Sequence, residues 1–410
     1  MIENTVAMIM AGGRGVRLGP LTQVRAKPAV PFGGIYRLFD FTLSNCINSG
    51  LRRIFVLNQY RLVSLVQHLR DAWSFLPAGL GEFILPIAPH QWARDTWYLG
   101  TADAIYQNLR YIAEEDPRHV LILAGDHVYK MDYRRMLSFH RVVGADVTVA
   151  AVEVPVEAGS DFGIVKVDKE SRIVGFLEKP ERPPSIPDRP GLCYASMGIY
   201  LFERNVLDEA LHEDAVCPDS KHDFGRNVIP SLIDRARVFA YGFRNAKTGR
   251  PRYWRDVGTI DAYHRANLDL VQVTPALNLY TPDWPIRTCQ PQLPPPKFVF
   301  AQEGESGRRG VALDSIVSPG CIVSGGRVHR SVLSPGVRVN SFARVEKSVL
   351  LDRVEVGRHA SIRNAIIDKE VVIPEGSEIG IDLEADRQRF YVSPAGVVVV
   401  SKRADLSRLL

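Results

Sequence analysis

Asp126 and Asp256 are the side chains in this sequence best suited to holding a divalent cation against phosphate oxygens. Asp126 closes the run Leu121-Ile122-Leu123-Ala124-Gly125-Asp126-His127, a buried-strand pattern ending in a carboxylate at the edge where α/β sheets bind ligands. Asp256 lies in Tyr253-Trp254-Arg255-Asp256-Val257-Gly258-Thr259. Two carboxylates from distant segments can hold one Mg²⁺ against phosphates. A single aspartate after a strand is as often a helix cap, so the pair carries the reading, and spacing alone leaves open whether the two meet.

Cations and backbone donors for phosphate are also present. Gly12, Gly13 and Gly15 sit in Ala11-Gly12-Gly13-Arg14-Gly15-Val16-Arg17-Leu18, directly after an apolar run, where glycines let backbone amides approach phosphate. The loop matches neither GxGxxG nor GxxxxGK[ST], and alone it is equally a tight turn. Arg17, with Lys27 in Arg25-Ala26-Lys27-Pro28-Ala29, supplies the charge a triphosphate needs. Lys179 in Phe176-Leu177-Glu178-Lys179-Pro180 is placed to grip a monophosphate, although a charged pair before proline is also an ordinary solvated turn. Trp97-Tyr98-Leu99-Gly100-Thr101 leads into a helix, and Ser196-Met197-Gly198-Ile199-Tyr200 offers hydroxyls for sugar or phosphate. Core packing explains either segment equally well.

The elements that must position these groups follow from apolar spacing. Residues 1–275 alternate short apolar runs with helical patterns, which predicts βα units around a largely parallel sheet. Val6–Met10, Ile54–Leu57, Val120–Leu123 and Val147–Val152 read as strands, while Tyr133, Met136, Leu137, His140 and Val143 form one helical stripe. A last helix over about 260–273 precedes a proline-rich stretch, 276–309, read as a linker. From 310 to 410 the texture changes. Ile316, Ile322 and Val328 are six apart, and a looser beat continues to Ile373 with glycine turns between, suggesting a parallel β-helix; a β-sandwich with regular turns is the alternative.

Composition narrows the function classes. The chain has 410 residues and a net charge of +5, with basic residues scattered rather than clustered, which favours small anionic ligands over nucleic acid or a membrane surface. Cys46, Cys193, Cys217, Cys289 and Cys321 lie far apart with no CxxC pair, indicating neither a disulfide framework nor a cysteine zinc site. The N-terminus does not read as a signal peptide, and no stretch reaches membrane-spanning length, so a cytoplasmic location is expected.

Taken in order, AGGRGVRL, RAKPAVPFGG, LSNCINSG, WYLGTADA, LILAGDHVYKMDY, EKP, ASMGIY, HDFGRNVIP, YWRDVGT, WPIRT and VIPEG resemble the glucose-1-phosphate adenylyltransferase (ADP-glucose pyrophosphorylase) family of bacterial glycogen synthesis, over nearly the whole chain. The resemblance implies a Rossmann-like nucleotidyltransferase domain, a C-terminal left-handed parallel β-helix, a homotetramer, ATP and α-D-glucose 1-phosphate as substrates, Mg²⁺ as cofactor, and control by metabolite effectors. It also assigns roles. Asp126 and Asp256 match the Mg²⁺-binding and catalytic aspartates, and Arg17 and Lys27 match the basic residues around the triphosphate. Gly12, Gly13, Gly15, Tyr98 and Gly100 fall at the nucleotide, and Gly163, Glu178, Lys179, Ser196 and Tyr200 at the sugar phosphate. Gln59 and Trp97 fall in loops linked to activation, Arg25 in the regulatory region, and Arg387 and Arg389 in a basic C-terminal motif.

Three departures stand out. Val16 replaces the usual hydroxyl residue of the glycine loop, a loss of about 1 kcal/mol where that hydrogen bond is made. Val24 stands where enterobacterial relatives carry an activator-binding lysine, which argues against fructose 1,6-bisphosphate as activator. Residues 86–92 do not follow the relatives' adenine loop. Rival readings are a sister enzyme using UTP or dTTP, and a regulatory homologue weak in catalysis; the presence of Asp126, Asp256 and Lys179 argues against the latter.

Overall fold

The computed structural model describes residues 2–13, 15–89, 97–302, 304, 307–404 and 406. Arg14 and the part of the loop at 86–92 from His90 onward lie outside the described residues.

Strands Thr5–Met10, Arg53–Leu57, Phe83–Ile87 and His119–Ala124 pair in parallel, in the order Phe83–Ile87, Arg53–Leu57, Thr5–Met10, His119–Ala124. The near-continuous burial of Thr5–Met10, Arg53–Leu57 and His119–Ala124 explains why they read as apolar runs without alternation, whereas the edge strand Phe83–Ile87 is only partly buried. Beyond His119–Ala124 the sheet changes character. Strand Leu192–Glu203 enters antiparallel and pairs with Val147–Pro155 and Gly163–Val167, and Val147–Pro155 takes Val238–Gly242 in parallel on its other side. The sheet of nine strands is therefore mixed where a largely parallel one was expected. The short connections around residues 156–192 build antiparallel neighbours, because a parallel return needs a longer crossover.

Helix Tyr133–Val142 buries Tyr133, Met136, Leu137 and His140 as the stripe predicts, with Val143 at its C-terminal cap. The Asp132 carboxylate starts this helix by accepting from Arg134 N. Helix Ile260–Asp269 begins the same way, with Thr259 accepting from Ala262 N.

After Pro294 the chain winds into three stacks of five short parallel strands each, the third closed by Tyr391–Val392 in antiparallel pairing, the arrangement of a left-handed β-helix rather than a sandwich. Registers such as Val323↔Val339, Val339↔Val356 and Val356↔Ile373 place one buried apolar residue above the next in successive coils. Each buried valine or isoleucine contributes about 1.5–3 kcal/mol. Lys297–Val299, within the stretch expected as linker, already pairs with Ile322–Ser324. Upstream, Trp284 Nε1 donates to Asn45 and Asn48 Nδ2 donates to the Pro285 carbonyl, so this proline-rich stretch is fastened to the first unit.

The two units share a core. Leu21, Val30, Phe32, Ile260 and Tyr263 cluster with Val332, Val349, Ile366 and Val399 of the β-helix. Polar ties rim it: His264 Nε2 to the Lys347 carbonyl at 2.7 Å, Arg37 to Asp352 at 3.6 Å and Arg25 to Asp368 at 2.8 Å.

Candidate active site

A two-stranded ribbon solves the problem that spacing left open. His127–Tyr129 follows Asp126 immediately and pairs antiparallel with Trp254–Asp256, with Asp256 opposite His127. The two carboxylates, 130 positions apart, thereby arrive on one side of one cleft. Gly125 permits the approach: its amide bonds the Met10 carbonyl at 3.0 Å, and a Cβ there would lie 2.7 Å from the Phe39 ring.

Lys27 joins them. Its ammonium lies 2.6 Å from Asp126 Oδ2 and 3.5 Å from Asp256 Oδ1, with the lysine side chain 9% exposed and each aspartate 27%. Burial favours neutral Lys27, but the two carboxylates outweigh it and raise its pKa above the ordinary lysine value. Burial likewise pushes the Asp126 carboxyl up, yet Lys27 and His127 hold it well below the usual carboxylate range. His127 Nε2 stands 3.6 Å from Asp126 and 3.8 Å from Asp256, while its buried Nδ1 has no hydrogen-bond partner among the described residues.

The glycine loop folds over this cluster. Gly15 is left-handed at φ 65°, and a Cβ on it would meet Thr22 at 3.0 Å and Lys27 Cβ at 3.1 Å, so glycine is required where the loop packs on the Lys27 segment. Arg17 reaches in from the same loop: a Cβ on Gly258 would lie 3.1 Å from Arg17 Nη2 and 3.2 Å from the Asp256 oxygens. Gly12 packs near Gln59, and Gly13 faces open space.

The sugar-phosphate candidates gather on a neighbouring wall. Strand Leu192–Glu203 breaks register between Ser196 and Tyr200, and Gly198 at the break sits near Ala124 and His127. Tyr200 is buried and stacks on Phe224, and burial raises its hydroxyl pKa. Glu178 pairs with Gly163 across two strands, and a Cβ on Gly163 would lie 3.1 Å from Glu178 Oε2. Lys179 follows, exposed, in a left-handed conformation (φ 48°) with its amide bonded to the Phe162 carbonyl. Tyr98 accepts from Asn108 at 3.0 Å, and Gly100 passes so close to the 221–222 backbone that a Cβ would lie 2.2 Å from the His222 carbonyl oxygen.

The regulatory candidates separate. Trp97, 58% exposed, stacks on Tyr60 one residue after Gln59. Arg25 lines a cavity of about 640 Å³ between the two units with Arg37, Lys369, Lys402 and Arg403. Arg387 and Arg389 do not line it; they pair with Glu384 and Asp386 on their own helix, Leu383–Arg389. The missed basic residues of the cavity come from three distant segments and show no motif. His127 was missed as well, although it directly follows Asp126.

The donor set fits a hard cation. Asp126, Asp256 and His127 offer ligand atoms all within 4.8 Å of one another, and the carboxylate oxygens suit Mg²⁺. With glycine-loop amides and two basic side chains beside them, these groups can orient a triphosphate and spread the charge of a departing phosphate.

Residues 6–273 match the family model described as nucleotidyl transferase, and residues 294–400 match that of a GlmU-like C-terminal hexapeptide. Over 404 residues the chain is 55% identical to a glucose-1-phosphate adenylyltransferase of Rhodopirellula baltica, covering 98% of this chain and 91% of that protein. Identity to the proteins of that name from Methylococcus capsulatus and Koribacter versatilis is 53% in each case, covering 98% of this chain and 94% and 96% of theirs. Among the described residues, no helix is long and apolar enough to cross a membrane.

Proposed function

This chain belongs to the nucleotidyl transferase family, and from that premise we propose that it is a glucose-1-phosphate adenylyltransferase, making ADP-glucose and pyrophosphate from ATP and α-D-glucose 1-phosphate. The observation that carries the reading at residue level is the meeting of Asp126 and Asp256 around the Lys27 ammonium, beneath the glycine loop.

In this mechanism a phosphate oxygen of glucose 1-phosphate attacks the α-phosphorus of ATP in line with the departing pyrophosphate, and no protein nucleophile takes part. Lys179 grips the sugar phosphate, while Glu178, Ser196, Tyr200 and the narrow Gly163 position line the sugar. Arg17, Lys27 and the amides of Gly12, Gly13 and Gly15 offset charge on the leaving group. Tyr98 and Gly100 shape the nucleotide pocket. Asp126 and Asp256 would hold Mg²⁺, which when bound screens the phosphate oxygens and polarises the α-phosphate. Catalysis is positioning plus electrostatics.

The glycogen pathway, the cytoplasm and a homotetramer complete the proposal on family grounds. We place the effector phosphate in the basic cavity lined by Arg25, Lys369, Lys402 and Arg403, because four cations border one space that Arg387 and Arg389 do not line, with Arg25, Lys369 and Lys402 held there by Asp368, Asp352 and Glu370. Gln59 and Trp97 remain activation-loop candidates, Gln59 through its packing on Gly12.

The test is pyrophosphate release from glucose 1-phosphate with ATP, UTP, dTTP and GTP in turn. ATP should exceed the others by at least tenfold in kcat/KM, and Asp126→Asn should lower kcat by ~10²-fold or more. Preference for UTP or dTTP would overturn the base assignment; near-normal turnover of the variant would overturn the carboxylate role.

A further inference from the structure

We propose that His119, His140 and Glu203 form a second metal site, for a divalent transition metal of the zinc class, at the opposite end of the sheet from the catalytic cleft. His119 opens the strand that Asp126 follows; seven residues at about 3.3 Å each put the two sites roughly 20 Å apart. His140 comes from helix Tyr133–Val142 and Glu203 from the end of strand Leu192–Glu203.

Three observations point to a cation. First, the donors converge: His119 Nε2 lies 3.2 Å and His140 Nε2 3.6 Å from the same oxygen, Glu203 Oε1, and all three ligand atoms lie within 4.8 Å of one another. Bonds of about 2.0–2.1 Å in a tetrahedral shell separate neighbouring ligand atoms by about 3.3–3.5 Å. Second, the imidazoles are buried and unsatisfied. His119 and His140 are 0% and 1% exposed; Nδ1 of His119 has no hydrogen-bond partner among the described residues, and the two Nε2 atoms converge on the single oxygen Glu203 Oε1 without a well-directed hydrogen bond. Leaving such groups unpaired in a folded interior is costly, and a metal bond satisfies them. Third, His140 has the outer-shell contact that metal-bound histidines use: its Nδ1 meets Thr148 Oγ1 at 2.8 Å. A metal on Nε2 requires the tautomer in which Nδ1–H is donated to Thr148 Oγ1, a geometry this contact allows.

Burial lowers the pKa of both histidines despite Glu203, favouring the neutral form that binds metals. Arg118 approaches the other carboxylate oxygen, Oε2, at 3.5 Å and leaves Oε1 to the metal. Nitrogen donors select zinc-class ions over Mg²⁺, so the two sites differ in ligand hardness as well as place. Glu203, 27% exposed, marks the side from which water completes the shell. The ion would fasten one helix to two strands, a structural role separate from adenylyl transfer.

The test titrates metal-free protein with ZnCl₂ in excess Mg²⁺, which keeps the catalytic carboxylates occupied, and compares it with Glu203→Gln and His140→Gln. Unmodified protein should bind one Zn²⁺ per chain more than either variant, or at least tenfold more tightly. Zinc should raise its melting temperature and not theirs. Both variants should retain ATP-dependent turnover with Mg²⁺, which also reports that they are folded. Co²⁺ should give the intense visible spectrum of a tetrahedral site only in the unmodified protein. Equal zinc binding by all three proteins, or none by the unmodified one, would overturn the proposal without touching the assignment of the catalytic site.

Discussion

Replacing Lys27 with methionine keeps the length of the side chain and removes the ammonium held 2.6 Å from Asp126 and 3.5 Å from Asp256. At an effective permittivity of 20 the nearer contact alone is worth about 6 kcal/mol of raw Coulomb attraction, before desolvation is subtracted. Removing one partner of a buried pair costs about 3–5 kcal/mol, because the charge left behind stays in the protein. The carboxylates are 27% exposed, which puts the expected loss at the lower end, near 3 kcal/mol. For a unit of this size that corresponds to a fall in Tm of roughly 3–5 °C. The diagnostic feature is its dependence on Mg²⁺. In Lys27→Met two carboxylates repel each other with nothing between them, so millimolar Mg²⁺ should restore most of the loss, while the unmodified protein responds weakly. Thermal unfolding in EDTA and in Mg²⁺ reads this directly. A variant as stable as the parent in EDTA, or one that Mg²⁺ fails to rescue, would refute the argument that lysine and metal answer the same pair of charges.

Lys179→Gln should raise KM for glucose 1-phosphate by roughly 10–100-fold with a much smaller change in kcat, since a hydrogen bond to a charged group is worth about 1.5–3 kcal/mol; steady-state kinetics with each substrate varied separates the two. Gly100→Ala forces a Cβ to within 2.2 Å of the His222 carbonyl oxygen and should cost about 1–3 kcal/mol, seen as a lower Tm together with weaker ATP binding. Burial, with Arg37 adding to it, pulls the Lys369 pKa down to about 8. Below that pH the folded protein bears the cost of a buried charge. Between about 8 and the ordinary value of 10.5 the unfolded chain binds a proton the folded chain lacks, so this residue makes stability rise with pH in that window. Anion binding runs the other way: calorimetric affinity for inorganic phosphate should fall above about pH 8, and Lys369→Arg, which stays charged, should flatten that fall.

What could be read before folding depended on how local the signal is. Asp126 was legible because an apolar strand announces itself and its end is a fixed place; so was the stripe Tyr133, Met136, Leu137, His140, since helical spacing is a property of adjacent turns. The β-helix showed in its valines, although the stacking repeat, Val323 to Val339 to Val356 to Ile373, is 16–17 residues and blurred the six-residue beat. The mixed sheet was not legible, because strand direction beyond His119–Ala124 is set by which partners Leu192–Glu203 meets. The convergence of Asp126 with Asp256 rests on pairing between His127–Tyr129 and Trp254–Asp256, three residues each, too short to carry a periodicity. Arg25, Arg387 and Arg389 stood in short basic motifs, whereas Lys369 and Lys402 join Arg25 only where the two units pack and so gave no local signal. His119 gave no warning, since a histidine at the head of an apolar strand looks like a core residue and its partners His140 and Glu203 are distant in the chain.

The claim on which the rest depends is that one divalent ion is shared by two carboxylates 130 positions apart in the first unit. Titrating Mn²⁺ in place of Mg²⁺, with the free ion followed by its electron paramagnetic resonance signal, addresses it directly when ATP is absent and Asp126→Asn and Asp256→Asn are compared with the parent. Each substitution alone should weaken the same single site by at least tenfold, and the double variant should be little worse than either. Independent losses that add, or a site that survives one substitution intact, would mean that the two aspartates serve different purposes.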